Sequence, residues 1–156
     1  MRIPINLGDY HEPTTAPIGK YDLLIASSEE AKTKAGKPQF VFSIGFEGHP
    51  EYQNIRHYLG IPSDLDESGA LDFKALQLKR FLVAFGQPIP KDGFDTEQLA
   101  MQLAGAKAKL EVGIEKEKDA DGNEKPDGRV FNRLVVPRLR EEGAAQGRVS
   151  PAPPKR

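Results

Sequence analysis

Residues 39–46 read QFVFSIGF, with Phe40, Phe42, Ile44 and Phe46 at every second position and Gln39, Val41, Ser43 and Gly45 between them. Successive side chains of an extended chain point to opposite faces, so this spacing predicts a strand that presents four large apolar groups to a buried core. A sheet is therefore required. Upstream, Tyr21, Leu23 and Ile25 alternate in the same way until EEAKTKAGKP interrupts them. Downstream, EGHPE turns the chain into a third expected strand, Tyr52 to Leu59, with Tyr52, Asn54, Arg56 and Tyr58 on one face and Gln53, Ile55, His57 and Leu59 on the other.

After the segment Gly60 to Gly69 the period changes. In DFKALQLKRFLVAFG, Ala75, Leu78, Leu82 and Phe85 recur at helical spacing, which predicts an amphipathic helix. Asp72 is its expected N-cap, Leu71 and Leu76 stand at the positions of a hydrophobic staple, and Gly86 is the expected stop. A shorter helix follows the same grammar, with Asp95 as cap, Gln98 three residues on, Phe94 and Leu99 as staple and Gly105 as stop. The two-residue period then returns. Leu110, Val112 and Ile114 alternate with Lys109, Glu111, Gly113 and Glu115, and in RVFNRLVV the residues Val130, Asn132, Leu134 and Val136 oppose Phe131, Arg133 and Val135 before Pro137 ends the run.

The expected organisation is an N-terminal extension over 1–18, one domain over 19–137 and a flexible, basic, proline-containing tail over 138–156. A chain of 156 residues suits one domain with a real core. The fold class is mainly β with a helical insert: five strands, with one or two helices between the third and fourth. That order fits an OB-fold-like Greek-key barrel, a fold whose exposed face often binds oligonucleotides, and it equally fits an α+β sheet with helices on one side.

Charge and motif narrow the function classes. With 22 basic and 23 acidic residues the net charge is -1, so any affinity for nucleic acid must come from local clustering. There is no cysteine, which removes thiolate chemistry and suits a reducing compartment. The N-terminus has no apolar signal region and no stretch approaches a membrane span; a soluble, cytoplasmic protein without membrane contact is expected. Gly19-Lys20 and Gly36-Lys37 lack the rest of a P-loop, and no G-x-S-x-G, H-E-x-x-H or G-x-G-x-x-G occurs. His11, His49 and His57 match no standard metal-ligand spacing. In DADGN, Asp119, Asp121 and Asn123 occupy calcium-loop positions 1, 3 and 5, but Glu124 and Val130 stand where glycine and glutamate are needed. Asp121-Gly122 and Asp127-Gly128 are turn chemistry. No enzyme, cofactor or metal is expected.

What does cluster is positive charge beside aromatic strand positions. Lys32, Lys34 and Lys37 lie in the connection between the first two strands; Tyr52, Arg56 and Tyr58 share one face of the third strand, and Arg129, Phe131 and Arg133 one face of the fifth. Cations that follow a phosphate backbone and rings on which bases stack are what sequence-tolerant single-strand binding needs. The competing reading makes Tyr52, Tyr58 and Phe131 core and the lysines a solvated turn. From Glu115 to Arg129 there are six acids and four bases, whereas Arg138 to Arg156 has five bases and two acids.

The blocks IGKYDLLIASSEEAKTKAGKPQFVFSIGF, LKRFLVAFGQP, LAGAKAKLEVGIE and RVFNRLVVP together resemble a family of small bacteriophage replication and recombination proteins, over roughly Gly19 to Pro137. The resemblance implies a phage single-stranded DNA-binding protein of OB-fold type in the host-cell cytoplasm, acting beside recombinases, helicases or nucleases. It points to Lys34 and Lys37 in the first loop and to Phe131, Asn132 and Arg133 in the last strand. The alternative from another class is a non-catalytic protein-interaction or virion accessory barrel.

Overall fold

The computed structural model describes residues 1–64 and 66–139. The expected tail, apart from Arg138 and Leu139, lies outside the described residues.

Five antiparallel strands form one sheet in the order β3-β2-β1-β4-β5: β1 Gly19–Lys32, β2 Pro38–Phe46, β3 Ile55–Gly60, β4 Lys107–Lys116 and β5 Val130–Val135. Two helices, α1 Ser68–Ala84 and α2 Thr96–Leu103, stand between β3 and β4, where the change of period places them. All four alternate apolar residues of β2 are buried, with Phe40, Phe42 and Ile44 fully so. They meet Leu23, Ile25, Ile55, Leu59, Val112 and Leu134 of the other strands and Leu78, Phe81, Leu82, Phe85, Leu99 and Leu103 around the helices.

The first strand runs further than its sequence suggests. EEAK does not interrupt it: Glu29 to Lys32 stay in register with Val41 to Pro38. The register shifts between Ile25 and Ser27, so Ala26 is an extra residue that inverts the alternation. Before it, Leu23 and Ile25 face the core; beyond it, Ser28 and Glu30 take the partners Phe42 and Phe40. Glu30 on that side accepts a hydrogen bond from the Thr96 hydroxyl at the start of α2, 2.7 Å. Gly19 to Leu24 pair with β4 and Leu23 to Lys32 with β2, so one strand serves both halves of the sheet.

Three local expectations need correction. The third strand begins at Ile55 rather than Tyr52; Tyr52 forms an isolated parallel bridge with Thr14 instead. Helix α1 starts a turn before Asp72, with Glu67 at the N-cap and no side-chain cap, so Asp72 lies inside it. Ala75 is exposed, whereas Phe81, absent from the expected apolar face, is fully buried. Its ring lies 4.5 Å from Phe42 and 4.8 Å from Phe85. The stops hold: Gly86 and Gly105 have φ of 66° and 89°, the left-handed region glycine enters at no steric cost. Asp95 caps α2 by accepting from the Gln98 N–H, 2.9 Å.

Residues 14–16, inside the segment assigned to an extension, dock across the two edge strands. Thr14 N–H donates to Glu51 O and Gln53 N–H to Thr14 O, next to β3. The Thr15 hydroxyl donates to Val130 O, and Ala16, fully buried, is bound through both backbone groups by Asn132 of β5. The segment thus ties one edge of the sheet to the other.

Candidate nucleic-acid interface

The edge strands β3 and β5 approach each other, yet no ladder joins them among the described residues. A groove of about 390 Å³ runs between them, lined by Gln53, Asn54, Arg56 and Tyr58 on one side and Arg129, Phe131 and Asn132 on the other. Strand alternation builds it. Ile55 and Leu59 of β3 point into the core, which turns Arg56 and Tyr58 outward, and Leu134 of β5 does the same for Phe131 and Arg133.

Tyr58 is 55% exposed and Phe131 37%, so part of each ring is offered to solvent. Among the described residues no carboxylate lines the groove, and neither Arg56 nor Arg129 makes an ion pair. Arg133 lies on the same face of β5, its guanidinium resting over Gly113 of β4, where a Cβ would stand 3.4 Å from its terminal nitrogen. A glycine at that register position gives the arginine room to lie flat on the strand.

The hairpin joining β4 to β5 carries acids next to the groove residues Arg129 and Phe131. Glu115 pairs with Phe131 in the ladder. Glu117 accepts from the Arg129 N–H, 3.2 Å, and from Lys125, 3.3 Å; the Arg129 N–H and the Lys125 ammonium hold its carboxyl below the usual range. At the tip, the Asp119 carboxylate accepts from the backbone N–H groups of Asp121 and Asn123, 2.9 and 3.0 Å, and Gly122 has φ 85°. DADGN is thus a turn in which Asp119 caps its own loop. Among the described residues no group of three or more histidine, cysteine or acidic side chains is placed to hold a metal ion.

The structure separates the sequence-based candidates. Arg56, Tyr58, Arg129 and Phe131 come together in the groove, with Arg133 beside it. Tyr52 does not join them: its ring packs edge-on to Tyr21 and Phe46, 5.9 and 5.3 Å, and stacks on His49 at 5.0 Å. Asn132 lines the groove floor, but it is 7% exposed and its amide is committed, accepting from Ala16 N–H and donating to Ala16 O and Gly113 O. Lys32 ends β1, and Lys34 and Lys37 sit in the turn after it. Because Ile61 N–H bonds to Pro38 O, that turn lies three residues beyond Tyr58, about 10 Å along β3. Lys37 is 3.8 Å from Asp66, whose carboxyl is held below its ordinary range by a hydrogen bond from Lys74, the Ser63 N–H and the Lys37 charge. Lys32 and Lys34 make no ion pair among the described residues.

Sequence reasoning missed Gln53 and Asn54 as groove residues and Gly113 as the bed of Arg133. The signal for Gly113 was present, a glycine in the middle of an otherwise regular strand. Elsewhere, His57 is stacked on Phe81 and Phe42 with centroids at 5.3 and 6.4 Å, and burial pushes its imidazole down to about 4. His49 pairs instead with Glu51, 3.1 Å.

No family model matches the chain, and no curated protein matches it. No helix among the described residues is long and apolar enough to cross a membrane.

Proposed function

We propose that this protein is a non-catalytic, sequence-tolerant single-stranded DNA-binding protein of bacteriophage replication or recombination, and that DNA lies in the groove between β3 and β5. One observation carries the reading: among the described residues, two guanidinium groups without ion pairs and two exposed aromatic rings share a groove that no carboxylate lines. Phosphates can be neutralised by Arg56 and Arg129 while bases stack on Tyr58 and Phe131, and every base has a face to stack. A base paired in a duplex cannot leave its stack to reach these rings, so single strands bind more tightly. Beyond Tyr58, Lys32 and Lys34 would continue the phosphate path; at the other end Glu115 and Glu117 would repel it and set its limit.

The reading takes the sheet as an OB-fold-like barrel. Its support is the strand order, the bulged β1 shared between both halves, the facing edges β3 and β5, and the helices between β3 and β4. The resemblance of Gly19 to Pro137 to phage replication and recombination proteins supports the setting, with recombinases, helicases or nucleases as the proteins it would work beside.

The test is fluorescence anisotropy of labelled oligo-dT and duplex across a salt series. Affinity should fall with log salt, and Arg56→Gln or Arg129→Gln should each lower the slope by about 0.7, the value for one single-strand phosphate contact. Phe131→Ala or Tyr58→Ala should weaken binding roughly 5- to 150-fold, the loss of one stacked base. No binding at low salt, or duplex bound as well as oligo-dT, rejects the function. Binding that none of the four substitutions alters rejects the groove.

A further inference from the structure

A second concavity, of about 750 Å³, lies where the last turns of α1 meet β4 and the segment after β5. It shares no lining residue with the groove. Pro137 in its lining is six residues past Phe131, a separation of up to about 20 Å along an extended chain. Its walls carry Lys79, Arg80, Lys91 and Arg138 and, among the described residues, no carboxylate. None of these four cations makes an ion pair among the described residues, and the Arg80 Nε is buried without an acceptor. A buried donor with no partner is costly, and four like charges around one hollow repel one another, so an anion seated there relieves both.

The floor decides which anion. Val83, Ile89, Leu110 and Pro137 supply it, and Val83 is 49% exposed. There is no aromatic ring in the lining, hence no platform for a base. An apolar floor under a ring of cations instead suits a ligand that carries carboxylates and an aliphatic or aromatic side chain on one short segment. Carboxylates pair with arginine forks through charge-assisted bonds, and the apolar side chain fills a concave site.

We propose that this cavity is a docking site for an acidic peptide segment of a partner protein, with an apolar side chain on its floor and carboxylates on Lys79, Arg80, Lys91 and Arg138. Such a site lets the protein hold a partner while the groove stays free for DNA.

The experiment is a titration of the full-length, ¹⁵N-labelled protein, followed by amide chemical shifts, with three probes. They are an acetylated peptide alternating aspartate with leucine, the same peptide with lysine for aspartate, and oligo-dT. The acidic peptide should move the amides of Val83, Ile89 and Leu110, the lysine peptide should not bind, and oligo-dT should leave those amides in place. Lys91→Glu together with Arg138→Glu, both at exposed positions, should weaken the acidic peptide about tenfold or more while oligo-dT binding is retained. Shifts at Tyr58 and Phe131 instead, equal binding of the lysine peptide, or indifference to the double charge reversal overturns the proposal. Oligo-dT entering the cavity also overturns it, by making the hollow a nucleic-acid site. Because peptide and DNA are read at different amides, loss of one leaves the other standing.

Discussion

Asn132→Ala tests the tie between the N-terminal segment and β5. The Asn132 amide accepts from Ala16 N–H at 2.8 Å and donates to Ala16 O at 2.9 Å and to Gly113 O at 3.2 Å, while Ala16 is 0% and Asn132 7% exposed. Truncation leaves both backbone groups of Ala16 without their partner in a buried site, at about 1–3 kcal/mol each. If the segment stayed docked, the cost would be about 2–6 kcal/mol. Undocking lets water reach Ala16 but exposes its methyl group and frees the Thr14 and Thr15 contacts, which caps the loss. A net destabilisation of about 2–4 kcal/mol is expected, or a fall in Tm of roughly 5–15 °C for a domain of this size. Urea denaturation followed by far-ultraviolet circular dichroism measures it, since the chain has no tryptophan, and hydrogen exchange at the Ala16 amide shows whether the segment has left. A loss below about 1 kcal/mol with the Ala16 amide still protected would refute the reasoning, because the bonds would then be making no net contribution.

Phe81→Ala removes the ring that stacks on Phe42 and His57 and packs against Phe85; a loss of about 3–5 kcal/mol in the same denaturation assay is expected, against under 1 kcal/mol if the helix repacks to fill the space. His57 titrates at about 4 when folded against an ordinary 6.5, so between these values the unfolded chain binds a proton that the folded chain does not. Its contribution is complete above pH 6.5 and is lost as pH falls to 4, up to about 3 kcal/mol. In His57→Phe that part of the acid slope should vanish from stability measured at pH 4.5, 5.5 and 7. Gly122→Val forces a branched side chain to φ 85° and should cost about 1–2 kcal/mol while leaving oligo-dT affinity unchanged, since the hairpin tip is outside the groove; a tenfold weaker complex would bring the tip into the interface.

Much of the fold is legible because burial writes a period into the chain. Phe40 to Phe46, Leu110 to Val112 and Asn132 to Leu134 alternate as the sheet requires, and Gly86 and Gly105 mark the helix ends. What escaped has specific causes. Ala26 bulges in a stretch of small residues that carries no pattern to disturb, so the inversion after it is silent. Glu29 to Lys32 look like a loop because their partners, Val41 to Pro38, are visible only through pairing. Phe81 was invisible to a strict i, i+3, i+7 count because the buried face of α1 is wider than that stripe. At the site, Arg56, Tyr58, Arg129 and Phe131 could be found from strand parity alone, as outward neighbours of core residues. Tyr52 could not be separated from them, since it stands on the expected face of Arg56 and Tyr58 and its packing on Tyr21 and Phe46 shows only in the fold; parity turns Asn132 inward with Leu134 but does not show its bonds to Ala16.

The groove itself is tested most directly by photocrosslinking. Oligo-dT carrying 5-iododeoxyuridine at single positions, irradiated with the full-length protein and mapped by mass spectrometry, reports which rings lie against bases. Crosslinks at Tyr58 and Phe131, lost in the matching alanine variants and suppressed by salt, are the expected result. Crosslinks that fall outside the β3–β5 groove, or none at a concentration where anisotropy shows the oligonucleotide bound, would contradict it.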